Sequence, residues 1–160
     1  MALTTDKLTH LDDEGHARMV DVTDKAVAIR QATATASVRM AASTIALLRD
    51  GQLPKGDALA VARVAGIMAA KRTHELIPLC HPVAIHGVEV ELLITDTSVD
   101  ITARVRTADR TGVEMEALTA AGISALTMID MIKGVDRLAF VDALRVESKE
   151  GGRSGTWNRT

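Results

Sequence analysis

The chain has 160 residues, a formal net charge of −2, and 47% hydrophobic against 25% charged residues. That balance suits one globular domain with a core of its own. Phe140 and Trp157 are the only aromatic residues, and with no basic excess the chain lacks both the charged surface and the stacking platforms that nucleic acid requires. Cys80 is the single cysteine, so no intrachain disulfide forms. The N-terminus carries Asp6, Lys7, Asp12, Asp13 and Glu14 with no apolar run, and the apolar stretch from Leu59 to Ala70 is interrupted by Arg63. Neither export nor membrane insertion is expected from this, and the cytoplasm is the expected location.

In chain order, about residues 1–15 are polar and expected to be mobile. A short strand is expected at Arg18–Val22 and a longer one at Ile29–Met40, where Thr33, Thr35, Ser37 and Val38 are β-compatible. Ile45, Leu47 and Leu48 give a short helix over Ser43–Asp50, stopped by Gly51. Asp57 caps a helix expected to reach about Glu75, with Leu59, Ala62, Gly66, Ile67 and Ala70 on one face. Pro78 and Pro82 bracket Leu79, Cys80 and His81, which are therefore presented on an extended or turn-like segment.

Val88, Val90, Leu92 and Ile94 alternate with Glu89 and Glu91, and Val99, Ile101, Ala103 and Val105 repeat the pattern after a turn, which predicts an antiparallel hairpin. A second long helix spans about Val113–Lys133, its expected covering face being Met115, Leu118, Gly122, Ala125, Ile129 and Ile132. Phe140–Ser148 reads as the last strand, and about residues 149–160 as a mobile tail. The order of elements predicts a single α+β domain, a ferredoxin-like antiparallel sheet covered on one side by helices.

Several constellations could carry chemistry. Cys80 and His81 suggest a thiolate–imidazole pair, but neighbouring side chains on an extended segment point to opposite sides. A small packed cysteine beside a hydrogen-bonded histidine is the competing reading. His10, His16, His74, His81 and His86 with one cysteine give no zinc-ligand spacing. The glycine-rich tail lacks the phosphate-loop pattern. Lys55, Lys133, Lys149 and Arg153 fall beside turns or helix ends, where cations can hold a phosphate or move a proton. Asp130 and Lys133 are three residues apart on a helix and can touch. Glu116 and Asp130 are fourteen residues apart, roughly 21 Å along a helix axis. Both can serve one small ligand only if the helix breaks or a second subunit contributes.

The segments Met19-Val20-Asp21-Val22, Lys55-Gly56-Asp57, Ala69-Ala70-Lys71-Arg72-Thr73, Leu76-Ile77-Pro78-Leu79-Cys80-His81-Pro82, Thr111 to Ala120, and Asp130-Met131 with Lys133 together resemble the molybdenum cofactor biosynthesis protein C family, the cyclic pyranopterin monophosphate synthases. The likeness runs from about Leu8 to Gly155. It implies a lyase that converts (8S)-3',8-cyclo-7,8-dihydroguanosine 5'-triphosphate to cyclic pyranopterin monophosphate with release of diphosphate. It also implies a homohexamer built as a trimer of dimers, with the active site at the dimer interface. By position, Asp130 matches the family's active-site aspartate, and Lys55, Lys133 and Lys149 match its functional lysines. Leu79, Cys80, His81, Met115 and Glu116 match its substrate-binding stretches, and Glu114 lies in the same string. Arg30 matches a basic contact, and Arg153 stands where some members have lysine.

On this reading Lys55 and Lys133 are the proton-transfer candidates beside Asp130, and Lys55, Lys149, Arg30 and Arg153 face the triphosphate. No cofactor is required, although Mg²⁺ could accompany the triphosphate. Two rivals stand beside it: a hydrolase using Cys80, and a non-catalytic regulator that only senses a nucleotide triphosphate.

Overall fold

The computed structural model describes residues 10–12 and 14–160; most of the N-terminal segment expected to be mobile lies outside them. The elements are β1 (Ala28–Arg39), α1 (Ala42–Arg49), α2 (Ala58–Ala70), α3 (Thr73–Leu76), β2 (Ile85–Ile94), β3 (Ser98–Asp109), α4 (Glu114–Ile132), β4 (Phe140–Glu150) and β5 (Trp157–Asn158). They form one five-stranded sheet in the order β2-β3-β1-β4-β5, with every pairing antiparallel. The first four strands have the ferredoxin-like order, and β5 extends the β4 edge.

β1 occupies the middle of the sheet, paired with β3 on one side and β4 on the other, and its side chains alternate cleanly. Ala32, Ala34, Ala36 and Val38 are buried on the helix-covered face, while Thr33, Thr35 and Ser37 lie on the other. From the β3 side Val99, Ile101, Ala103 and Val105 join the same core. Met128 and Ile132 of α4 are wholly buried against it, and burial of side chains of this size stabilises a fold by about 1.5–3 kcal/mol each.

α4 lies across β1, β3 and β4 and packs alongside α2. By length and composition it could cross a membrane, but half of its apolar window is buried in this core. Its buried stripe is Glu116, Ala117, Ala120, Ala121, Ser124, Ala125, Met128, Met131 and Ile132. This differs from the face expected in sequence: Met115 is exposed, and Leu118, Gly122 and Ile129 are only partly covered, because small residues rather than the largest apolar ones face the sheet and α2. The contact between the two helices is tight. A Cβ on Gly66 would come 2.8 Å from the Ala120 carbonyl oxygen and closer still to Ser124 Oγ, and Ser124 Oγ donates to the Ala62 carbonyl at 3.0 Å.

Three boundaries differ from the sequence expectation. No strand forms at Arg18–Val22; that stretch has no ladder partner, and its backbone is held by single hydrogen bonds, Arg18 N–H to the His10 carbonyl, His81 to the Val20 carbonyl and Lys25 N–H to the Val22 carbonyl. α2 ends at Ala70 rather than near Glu75, since Thr73 Oγ1 donates to the Ala70 carbonyl at 3.0 Å and ends the ladder locally. The segment beginning at Lys149, expected as a mobile tail, is partly ordered by pairing: Ala32 faces Lys149 and Gln31 faces Glu150 across β1 and β4, while Trp157 and Asn158 pair with Lys149 and Ser148.

Candidate active site

Two clusters of the singled-out residues form, at opposite ends of α4. The first is at its C-terminus. Leu53 is buried, Gly56 donates its N–H to the Leu53 carbonyl at 3.0 Å, and Gly56 has φ of 87°, a left-handed turn that glycine adopts without strain. That turn carries Lys55. Asp57 then caps α2 by accepting from the Ala60 N–H at 2.9 Å, as its side chain predicts.

Lys55 Nζ reaches across to donate to the main-chain oxygen of Asp130 at 2.7 Å and to its Oδ2 at 2.8 Å. Lys133 Nζ holds the other carboxylate oxygen, Oδ1, at 2.7 Å. The two lysines thus grip one carboxylate from both sides, and they sit where the last turn of a helix favours positive charge. Hydrogen bonds from Lys133 and then Lys55 lower the Asp130 carboxyl to about 2. Asp130 is therefore ionised at any ordinary pH.

The second cluster surrounds the start of α4. Pro78 and Leu79 form a turn closed by the Cys80 N–H donating to the Ile77 carbonyl at 3.1 Å, and Leu79 is left exposed beyond it. Cys80 is partly buried. Burial raises its thiol above the ordinary value and the Glu116 charge raises it further, the opposite of what an activated thiolate needs. Glu116 is 4% exposed; burial pushes its carboxyl up to about 7, with the Glu114 charge adding to the effect.

Glu114 stands 3.6 Å from Lys149 Nζ, which also donates to Ser154 Oγ at 2.7 Å. Arg30 Nε donates to the Asp109 carbonyl at 2.9 Å, and its guanidinium lies against Gly152, where an added Cβ would clash with it. Met115, next to Glu114 in the chain, is exposed. Arg153 is exposed and has no ion pair or hydrogen bond among the described residues, so the structure does not tie it to either cluster. His81 Nε2 lies 2.6 Å from the carbonyl oxygen of Val20.

Sequence reasoning missed the Val20 carbonyl, the Asp109 carbonyl that holds Arg30, and the cap that Lys55 places on α4. Main-chain acceptors leave no mark in side-chain identity. The one available signal was Asp21 two residues before Thr23, a spacing suited to a side-chain-closed turn. Among the described residues no group of three or more His, Cys, Asp or Glu is arranged to hold a metal ion.

Lysines around an ionised carboxylate at one end of a core helix, and a lysine, an arginine and a buried acid at the other, define an α+β enzyme acting on a small anionic molecule. Residues 19–152 match the MoaC family, and the chain belongs to it. It is 59% identical to the cyclic pyranopterin monophosphate synthase of Streptomyces griseus over 157 residues, covering 98% of this chain and 89% of that protein. It is 58% identical to cyclic pyranopterin monophosphate synthase 2 of Mycobacterium tuberculosis over 153 residues, covering 96% and 92% of the two chains. A relative with the former name from Thermomicrobium roseum is 56% identical over 155 residues, covering 96% of this chain and 93% of its own.

Proposed function

We propose that this enzyme makes cyclic pyranopterin monophosphate and diphosphate from the cyclised GTP derivative (8S)-3',8-cyclo-7,8-dihydroguanosine 5'-triphosphate, a lyase step in molybdenum cofactor biosynthesis. Family membership supports the reaction, and the Lys55–Asp130–Lys133 grip is the observation that carries the chemistry. The reaction opens and rebuilds a purine-derived ring and directs a ribose hydroxyl onto the α-phosphorus so that diphosphate leaves. It needs proton transfers and neutralisation of phosphate charge, and no redox step. Asp130 holds two ammonium groups side by side; once substrate takes up one of their hydrogen bonds, each can give a proton and, as the amine left behind, take one back. Lys149 and Arg30 supply charge for the triphosphate, with Arg153 free to join them. No resident cofactor is assigned, and a Mg²⁺ ion would arrive with the triphosphate.

The active site is assembled between subunits. α4 is unbroken from Glu114 to Ile132, so Glu116 and Asp130 of one chain remain roughly 21 Å apart. The two clusters are half-sites that complete one another when the C-terminal end of one α4 meets the N-terminal end of another, which supports a dimer-interface site; the homohexamer built as a trimer of dimers rests on the family likeness. A nucleotide-derived substrate supports a cytoplasmic location.

The test is direct: purified protein is mixed with the cyclic nucleotide, and pterin product and diphosphate are measured together. Appearance of both in equal amounts supports the reading. Binding without diphosphate release would make the protein a nucleotide sensor instead.

A further inference from the structure

His81 Nε2 is 2.6 Å from the Val20 carbonyl oxygen. A carbonyl oxygen only accepts, so Nε2 must carry the hydrogen. In a neutral imidazole the other nitrogen, Nδ1, then holds a lone pair. Nδ1 has no hydrogen-bond partner among the described residues.

The Val20 carbonyl is itself held in place, although its segment belongs to no strand. Asp21 Oδ1 accepts from the Thr23 N–H at 2.8 Å and from Thr23 Oγ1 at 2.6 Å. The turn continues with the Lys25 N–H donating to the Val22 carbonyl at 3.0 Å. Arg110 Nε fastens its far end by donating to the Lys25 carbonyl at 3.0 Å. A side-chain-closed turn buckled to the end of β3 therefore presents one acceptor to one edge of the imidazole.

We infer that His81 meets the substrate through Nδ1 as a hydrogen-bond acceptor, and that the Val20 carbonyl, positioned by the Asp21 turn, fixes the tautomer that leaves Nδ1 bare. This deepens the proposed function and rests on its placing His81 in the substrate pocket. An acceptor at Nδ1 has a chemical consequence. Ionised phosphate oxygens offer no hydrogen to it, whereas the N–H groups of the purine-derived ring and the ribose hydroxyls do. His81 thus reads the ring or the sugar, and the triphosphate is left to the lysines and arginines. Asp21 is a positioning residue: it acts only through the carbonyl beside it.

Three measurements test this. Long-range ¹H–¹⁵N correlation spectra of the full-length labelled protein at neutral pH, with His81 assigned by its absence from His81→Gln, are expected to show Nε2 protonated and Nδ1 bare. The opposite tautomer, or a doubly protonated ring, would overturn the inference. In turnover, Asp21→Ala is expected to lower kcat/KM about tenfold, the scale of one lost positioning hydrogen bond. Asp21→Asn keeps an acceptor oxygen for Thr23 and is expected to restore most of it; equal losses in both variants would remove the turn from the argument. In the Lys133→Ala protein saturated with the cyclic nucleotide, as judged by calorimetry, the Nδ1 resonance is expected to move while staying unprotonated. An unmoved or newly protonated Nδ1 at saturation would refute the acceptor role. If wild-type protein neither binds nor converts the nucleotide, the proposed function fails, and the spectrum of the free protein still decides the tautomer.

Discussion

Lys55 and Asp130 are joined twice, through the carboxylate at 2.8 Å and through the main-chain oxygen at 2.7 Å. The second bond survives removal of the aspartate's charge. In Asp130→Asn, Lys55 is therefore expected to stay at the helix end while Lys133 loses its counter-charge. Turnover should fall about a hundredfold or more, the scale of a lost proton-transfer group, with substrate affinity changed only a few-fold. Steady-state kinetics with calorimetric binding checks this, and near-normal turnover would remove Asp130 from the chemistry.

The proposed intersubunit site makes a mixing prediction. Glu116→Ala damages the half-site at the start of α4, and Asp130→Ala damages the one at its end. Each variant alone should be nearly inactive. After unfolding and refolding together at equal amounts, hybrid dimers carry one intact composite site, so about a quarter of wild-type activity should return for a two-fold interface. No recovery despite confirmed hybrid formation would place the whole site within one chain.

A nucleophilic role for Cys80 is tested by Cys80→Ser. Burial and the Glu116 charge both hold the thiol in its protonated form, so the variant should keep most of its diphosphate release. Loss of a hundredfold or more, on the scale expected for a missing nucleophile, would revive the hydrolase reading.

Glu116 ties stability to pH. Its carboxyl is raised from the usual 4.5 to about 7, so the folded chain binds a proton that the unfolded chain has already released in that interval. Stability from this group is present below pH 4.5 and is lost as pH rises to about 7. Glu116→Gln removes the ionisation. Thermal melts of substrate-free protein should show the variant gaining on the parent between about pH 5 and pH 8, by up to about 3 kcal/mol. A constant difference across that range would show that the carboxyl is not held neutral.

The hairpin, the Asp57 cap and the central strand were legible in sequence because each rests on a local period or a local side-chain bond. Val88 to Val105 alternates, and alternation survives folding unchanged. The buried face of α4 was not legible in the same way. Its position was decided by close approach to α2 and the sheet, which favoured Ala117, Ala120, Ala121 and Ser124 over the larger Met115 and Leu118. Of the site, the lysines and Asp130 showed in sequence through their spacing and the family likeness, and the 21 Å argument placed Glu116 in a separate cluster. The Val20 and Asp109 acceptors did not show, since any residue supplies a carbonyl and only the fold says which one faces His81 or Arg30.

Gly66 lies well away from the two ammonium groups, yet it helps decide where they meet. Lys55 lies two residues before the Asp57 cap of α2, Asp130 sits in the last turn of α4, and the two helices come closest where Gly66 leaves room for Ser124 and the Ala120 carbonyl. A methyl group at position 66 would have to be accommodated by sliding or tilting one rod against the other. That motion would be delivered to the far tip of α2 as a change in the reach of Lys55. Helix spacing and the alignment of Lys55 with Asp130 are in this way one mechanical quantity, and a substitution that touches no polar atom of the pair could put it out of tune.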